Sequence, residues 1–167
     1  MPDRLANERE ALGQQLDYHR ATRLQKLEGL ADEVLRRPMT ASGLSLLGLV
    51  KHLTETERGW FLKIFAGAPD ETQATYPDSD SDFRVAPEET ANVLVSQYVR
   101  VLVSQYVRVC DRADEVVADA ELGRVVTTPW GADVNLRAIL LHMIQETARH
   151  NGHADIMRES IDGTTGQ

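Results

Sequence analysis

Apolar residues recur along the first 36 residues at Leu12, Leu16, Leu24, Leu27 and Leu30, with charged residues between them. Spacings of three, four and eight place such residues on one stripe of a helix, which predicts a single long first helix from Asn7 to about Arg36. Pro38 stops it, "TASG" supplies a turn, and Ser42 or Ser45 can cap a second apolar-rich helix that runs through Phe65. Gly67 suits the left-handed position after its last turn. The stretch 67–87 holds three prolines and five acids against one arginine. It reads as a long solvated connection, of the kind that packs over a site or crosses a bundle. Pro87 followed by Glu88 and Glu89 fits the first turn of a third helix, where the missing N–H costs nothing and the acids complement the dipole.

The third helix carries an exact repeat, "VLVSQYVR" at 93–100 and again at 101–108, most simply a tandem duplication of the coding segment. Valine richness favours strand, yet Val95, Tyr98, Leu102, Tyr106, Val109, Ala113 and Val116 follow a three-four spacing that only a helix aligns. Eight extra residues add about 12 Å of helix and turn its face by about 80°, so the insertion either overhangs a bundle or shifts the register. A mixed stretch from Asp119 to Asp133 contains "TTPWGADV". The fourth helix runs from about Val134 to Ile161 and closes at Gly163. Four long helices with almost no strand signal predict an all-α four-helix bundle, and 167 residues fit one domain spanning 1–167.

Hydrophobic residues make up 42% and charged residues 26%, an ordinary globular composition. "LSLLGLV" at 44–50 is too short to span a bilayer and "MPDRLANERE" lacks an apolar signal core, so no membrane partner and a cytoplasmic location are expected. A net charge of −8 without a Lys/Arg cluster argues against nucleic acid as a partner. Cys110, the single cysteine, sits in the valine-rich "YVRVCDR" and reads as a buried inert thiol rather than a nucleophile. No catalytic nucleophile is expected from this chain.

The candidate chemistry lies in the fourth helix. At about 100° per residue, with His142 at zero, His153 falls near 20°, Glu146 near 40° and His150 near 80°. Glu146 and His150, four apart, can aim a carboxylate and an imidazole at one point. A third protein donor must come from elsewhere. His52, near the middle of the second helix with Gly48 and Gly59 on its face to leave room beside the ring, is the best candidate. Two imidazoles and a carboxylate suit Zn, Ni or Fe and leave coordination positions open. The plain alternative is an acidic, histidine-bearing helix face with no metal. His19 reads as a hydrogen-bonded core histidine before it reads as a ligand, and Trp60, Phe61 and Trp130 as core or pocket wall.

The blocks "RATRLQKLEGLADEVLRRPMTASGLSLLGLVKHLTETERGWF" (20–61) and "HMIQETARHNGHADIMRESIDGTTG" (142–166) resemble the DinB/YfiT-like superfamily, in a branch found in mycothiol-using bacteria. The resemblance implies an up-down-down-up bundle, a long second-to-third connection crossing it, and a divalent metal held by three residues. It places His52 at the helix-two position, with Glu146 and His150 as the pair on helix four. Glutamate stands at 146 where the pattern usually has histidine, a carboxylate similar to that of mycothiol-dependent maleylpyruvate isomerase. His153 stands where the pattern has glutamine, making it an outer-shell group or substitute ligand, with His142 a weaker alternative.

Relatives in this superfamily use mycothiol or bacillithiol in S-transfer or isomerisation, and pair as homodimers. The expectation is therefore a metal-dependent, mycothiol-type thiol S-transferase acting on a small-molecule thiol and an electrophile, with Arg149, Trp60 and His19 assigned by position to the substrate pocket. Its rivals are a non-enzymatic metal-binding or stress-response bundle, and an Fe(II) oxygen-using enzyme.

Overall fold

The computed structural model describes residues 2–3, 5–68, 81–85 and 95–166, with the backbone alone for residues 81 and 95–98. Helix α1 (Glu8–Gln25) starts where the Asn7 side chain accepts the N–H of Glu10, at 3.0 Å. The leucine stripe continues beyond it, but the rod does not, which corrects the single helix expected over 7–36. Gly29 adopts φ +74°, a conformation open to glycine, and a separate short helix α2 (Asp32–Arg36) follows with Asp32 and Glu33 in its first turn. The break lets Leu27 and Leu35 both enter one core cluster.

Helix α3 (Leu46–Glu57) is capped by Ser45, which accepts the Gly48 N–H at 3.0 Å. It continues as a π-helix over Arg58–Phe65, and the i→i+5 pattern reaches Ala66, whose N–H bonds Phe61 O at 2.9 Å. Gly67 follows with φ +66°. Residues Ser81–Phe83 form a short 3₁₀ turn against α3. Helix α4 covers Val95–Val117, so the valine-rich stretch is helical, and Leu102, Tyr106, Val109 and Ala113 are buried as the spacing predicts. Its start at Pro87 and the side chains of Val95 and Tyr98 lie outside the described residues.

The mixed stretch after α4 holds an antiparallel hairpin, β1 (Val125–Thr127) and β2 (Asp133–Asn135), with Val126 opposite Val134. Strands of three residues are too short to register as alternation in a sequence. Because Val134 pairs in the hairpin, helix α5 begins at Leu136 rather than Val134 and runs to Asp162. Asn135 caps it by accepting the Ala138 N–H at 2.9 Å, and Gly163 closes it at φ +77°. Trp130, expected as core or pocket wall, is instead 65% exposed at the hairpin tip.

Cross-helix contacts fix the directions. Glu8 meets Arg137, the His19 carbonyl meets Asn151, and Lys26 meets Asp155, so α1 and α5 run parallel. His52 meets Glu146 and Trp60 meets His142, so α3 runs against α5. Arg9 bonds the Ala120 carbonyl and Arg20 bonds Asp114, so α4 runs against α1. The topology is up-down-down-up in a four-helix bundle. No helix among the described residues is long and apolar enough to cross a membrane.

Two apolar clusters fill the bundle. One gathers Leu46, Leu47, Leu49, Leu53 and Tyr106, and the other Leu16, Phe61, Phe65, Ile139 and Met143. Between them lies a charged layer. Arg20, one turn beyond Leu16, donates from Nε and Nη2 to the two oxygens of Glu57, both at 2.8 Å, and from Nη1 to Asp114 at 2.7 Å. Glu57 has 0% exposure. A buried, bidentate pair is worth little relative to apolar residues but costs much to break singly. Glu57→Ala should therefore lower the unfolding free energy by about 3–5 kcal/mol in urea titration. The double replacement Arg20→Met with Glu57→Met should recover most of that loss. A single variant as stable as the parent would show that the pair is not held as described.

Candidate metal centre

The antiparallel run of α3 against α5 brings the middle of one helix to the middle of the other. His52 projects from α3, and Glu146 and His150 project one turn apart from α5. Glu146 Oε1 lies 3.2 Å from His52 Nε2 and 3.0 Å from His150 Nε2, and the three donor atoms lie within 4.8 Å of one another. The two imidazole rings sit edge to face, with centroids 4.8 Å apart.

His52 is held from behind. Its Nδ1 lies 2.7 Å from Asp82 Oδ2, so Nδ1–H donates to the carboxylate and the ring turns Nε2 toward Glu146. Phe83 stacks on the same ring, with centroids 3.8 Å apart and 19° between planes. Both residues come from the described part of the connection between α3 and α4. The Lys51 ammonium fastens that segment by donating to Arg84 O at 3.0 Å. Gly48 does so by its lack of a side chain: a Cβ there would overlap the Phe83 carbonyl. The space expected beside the His52 ring at Gly48 is thus taken by backbone, which corrects that part of the sequence reading.

Electrostatics follow from burial and proximity. Burial, and then the neighbouring His52, push the His150 imidazole down to about 4. Burial alone would raise the Glu146 carboxyl, but the His52 and His150 imidazoles beside it outweigh burial and hold the group below its ordinary value. A neutral His52 whose Nδ1–H is given to Asp82 presents a lone pair to Glu146 across 3.2 Å. A lone pair facing a carboxylate oxygen is repulsive unless a proton or a cation lies between them. Bonds of about 2.0–2.1 Å at tetrahedral angles need donors about 3.3 Å apart, close to the 3.2 and 3.0 Å that separate Glu146 Oε1 from the two imidazoles. The donor set therefore fits a divalent transition metal in size and in chemistry.

The other residues singled out in the sequence fall around this point rather than at it. His153 is exposed, and its Nδ1 lies 3.3 Å from His150 Nδ1. Arg149 is exposed, 3.9 Å from Glu146 Oε2. His142 lies further along α5, its ring 4.9 Å from that of Trp60, which also meets Trp130 edge-on at 5.8 Å. His19 is hydrogen-bonded to Gln15 at 3.0 Å. A recess of about 230 Å³ opens beside the centre, lined by Ser42, Leu44, Phe83, Arg84, His150 and His153. Arg149, Trp60 and His19 are not among its walls.

Asp82 and Phe83 were missed by sequence reasoning. Asp82 is one of several acids in "PDETQATYPDSDSDF", and no spacing rule ties an irregular segment to a distant helix.

A family model described as mycothiol-S-transferase matches residues 11–163. No curated protein gives a significant match. Among solved structures, YfiT from Bacillus subtilis, described as a probable metal-dependent hydrolase with an unusual four-helix bundle topology, is similar at 17% identity and a TM-score of 0.62. The likeness covers 98% of this chain and 94% of that one. The likeness to YfiT carries the fold, and the family match spans both helices that bear the centre: the chain belongs to the mycothiol-S-transferase family.

Proposed function

We propose that the protein is a metal-dependent S-transferase that joins the sulfur of a low-molecular-weight thiol of the mycothiol type to a small electrophile. The observation that carries this reading is the convergence of His52 Nε2, His150 Nε2 and Glu146 Oε1 on one point beside an open recess. His52, Glu146 and His150 would hold the cation. A bound divalent cation lowers the pKa of a thiol enough to give a thiolate at neutral pH.

The chain supplies the rest. Asp82 and Phe83 orient His52, and His150 stays neutral and available as a donor because burial depresses its proton affinity. The recess, continued past Leu44 and His153 by a second of about 150 Å³, offers walls from Met39, Ile156 and Met157 to an apolar electrophile. The sulfur forms a bond to the electrophilic carbon, the leaving group departs with its electron pair, and the thiol proton passes to solvent. The chain's own thiol cannot substitute: burial pushes Cys110 far above its ordinary value. Dependence on a cytoplasmic thiol pool supports an intracellular site of action, and a homodimer belongs to the same reading.

His52→Ala or His150→Ala should abolish stoichiometric metal in elemental analysis while the helical circular dichroism signal persists. Unchanged metal content in both variants would refute the ligand assignment. The metal-loaded protein should conjugate mycothiol to 1-chloro-2,4-dinitrobenzene or a related electrophile, and a chelator should stop it. Metal bound at full occupancy with no thiol-dependent turnover on any electrophile tried would leave the site standing and remove the reaction.

Asp82→Asn should weaken metal affinity by about 10–100-fold, and Gly48→Ala should act in the same direction by displacing the segment that carries Asp82. Wild-type affinity in both, from competition with a chromogenic chelator, would show that His52 needs no support.

After chelation, pH should act through His150. Its native value lies near 4 against 6.5 in an unfolded chain, so the unfolded state binds the extra proton between these values. Stability present above pH 6.5 should fall as the pH drops toward 4, read by urea titration, and His150→Gln should flatten that slope.

A further inference from the structure

The recess beside the candidate metal centre does not end at His153. Leu44 and His153 line both it and the second recess of about 150 Å³, so the two are continuous along α5. His150, at the centre, and Met157, in the far wall, are seven residues apart on that helix, about 10 Å along its axis. The opposite wall is a tight turn. Met39 N–H donates to Leu44 O at 2.8 Å and Gly43 N–H to Thr40 O at 3.0 Å. Arg84 packs on Gly43, where a Cβ would lie 3.1 Å from its Cδ.

Polar groups along the far recess are turned to the protein. The Ser160 hydroxyl donates to Ile156 O at 2.8 Å, and Thr40 Oγ1 accepts the Leu44 N–H and meets the Ser42 hydroxyl, both at 3.0 Å. Among the described residues no Asp, Glu, Lys or Arg lines this recess, in a chain of which 26% is charged. What faces a ligand is the apolar surface of Met39, Leu44, Met157 and Ile156, the last of them 67% exposed. Such surface gains by being covered with apolar atoms, and unbranched methionine side chains adapt to a flexible occupant. The phenyl ring of Phe83 belongs to the near recess, where it stacks on His52.

We infer that the groove selects, as the electrophile, an unbranched aliphatic chain of about six to eight carbons, the length that about 10 Å of helix accommodates. Its reactive carbon lies beside His150 and its tail runs past Leu44 to Ile156 and Met157. This inference rests on the S-transferase reading above and adds the substrate class to it. The thiolate sulfur bonds to the terminal carbon, the leaving group departs with the electron pair of the broken bond, and the thiol proton goes to solvent. The tail fixes the position of the carbon that reacts.

The test uses the full chain loaded with metal, with mycothiol and a series of 1-bromoalkanes whose reacting carbon is the same throughout. From 1-bromopropane to 1-bromooctane kcat/KM should rise about two- to fourfold per methylene. 1-Bromo-3-phenylpropane, with its rigid ring, should be a poorer substrate than 1-bromohexane. Ile156→Asp, at an exposed position, should flatten the series and lower kcat/KM for 1-bromooctane about tenfold. Independently of turnover, 1-octanol should shift the amide resonances of Leu44, Ile156 and Met157 in the chain without metal or thiol, and 1-propanol at the same concentration should not. Turnover with a flat series, or a phenylpropyl substrate that outruns the hexyl one, would overturn the inference and leave S-transfer standing. Absence of turnover with every electrophile would remove S-transfer, and the octanol shifts would then decide alone whether the groove holds an aliphatic chain.

Discussion

Two neighbouring helices that point the same way cannot be joined by a tight turn, and this fold contains two such relations. Helices α1 and α5 run parallel, and so do α3 and α4, since α3 packs with the first part of α4 and its π-helical continuation packs with the second. The chain leaving the π-helical end of α3 must therefore travel back along the bundle before α4 can begin. That return is what delivers Asp82 and Phe83 to the middle of α3. An antiparallel hairpin of helices with a short loop would have no segment available to press on His52 from behind. The glycine at 48, the ammonium of Lys51 and the carboxylate–imidazole bond at His52 all fasten this one crossing piece of backbone.

Polar groups are distributed in the interior with a comparable economy. Apolar clusters occupy the two halves of the bundle, and the charged side chains lie in the layer between and beside them. Arg20 satisfies Glu57 with a fork that matches both oxygens. His52 and His150 turn their Nε2 atoms on a single carboxylate oxygen of Glu146. Arg23 differs from these in having no hydrogen-bond partner among the described residues. Each of these groups sits on an inward face of a helix where a leucine would pack more cheaply, so their cost is tolerated for pairing, orientation or ligand binding rather than for bulk stability.

Helical periodicity made much of this legible in advance. The four main helices, the Ser45 cap, the left-handed Gly67 and Gly163, and the shared face of Glu146 and His150 all follow from rules that act within a few residues. His52 required more: its pairing with α5 rests on equal depth in two helices, a relation that a bundle provides and a sequence only suggests. The failures have physical causes. Gly29 bends a continuous leucine stripe without interrupting it. The Val125–Thr127 and Asp133–Asn135 strands are shorter than one cycle of any useful pattern. Trp130 is held at a hairpin tip by a turn in which the Thr128 hydroxyl bonds the Ala132 backbone twice, and no apolar count along the chain reveals that it faces outward. Asp82 acts across a distance of thirty residues, from a segment whose acids look alike.

The repeated octapeptide shows what a helix does with copied sequence. Val99 and Val107 are the same residue of the two copies, yet Val99 is 6% exposed and Val107 38%. Eight residues are two turns and a fraction, and the fraction rotates every copied side chain to another side. A copied segment of seven or eleven residues would have come back nearly to its starting angle, leaving insiders inside. Growth by eight instead reassigns each inherited letter a new neighbourhood, so the two copies, alike in sequence, are free to diverge under different selection from the moment they arise.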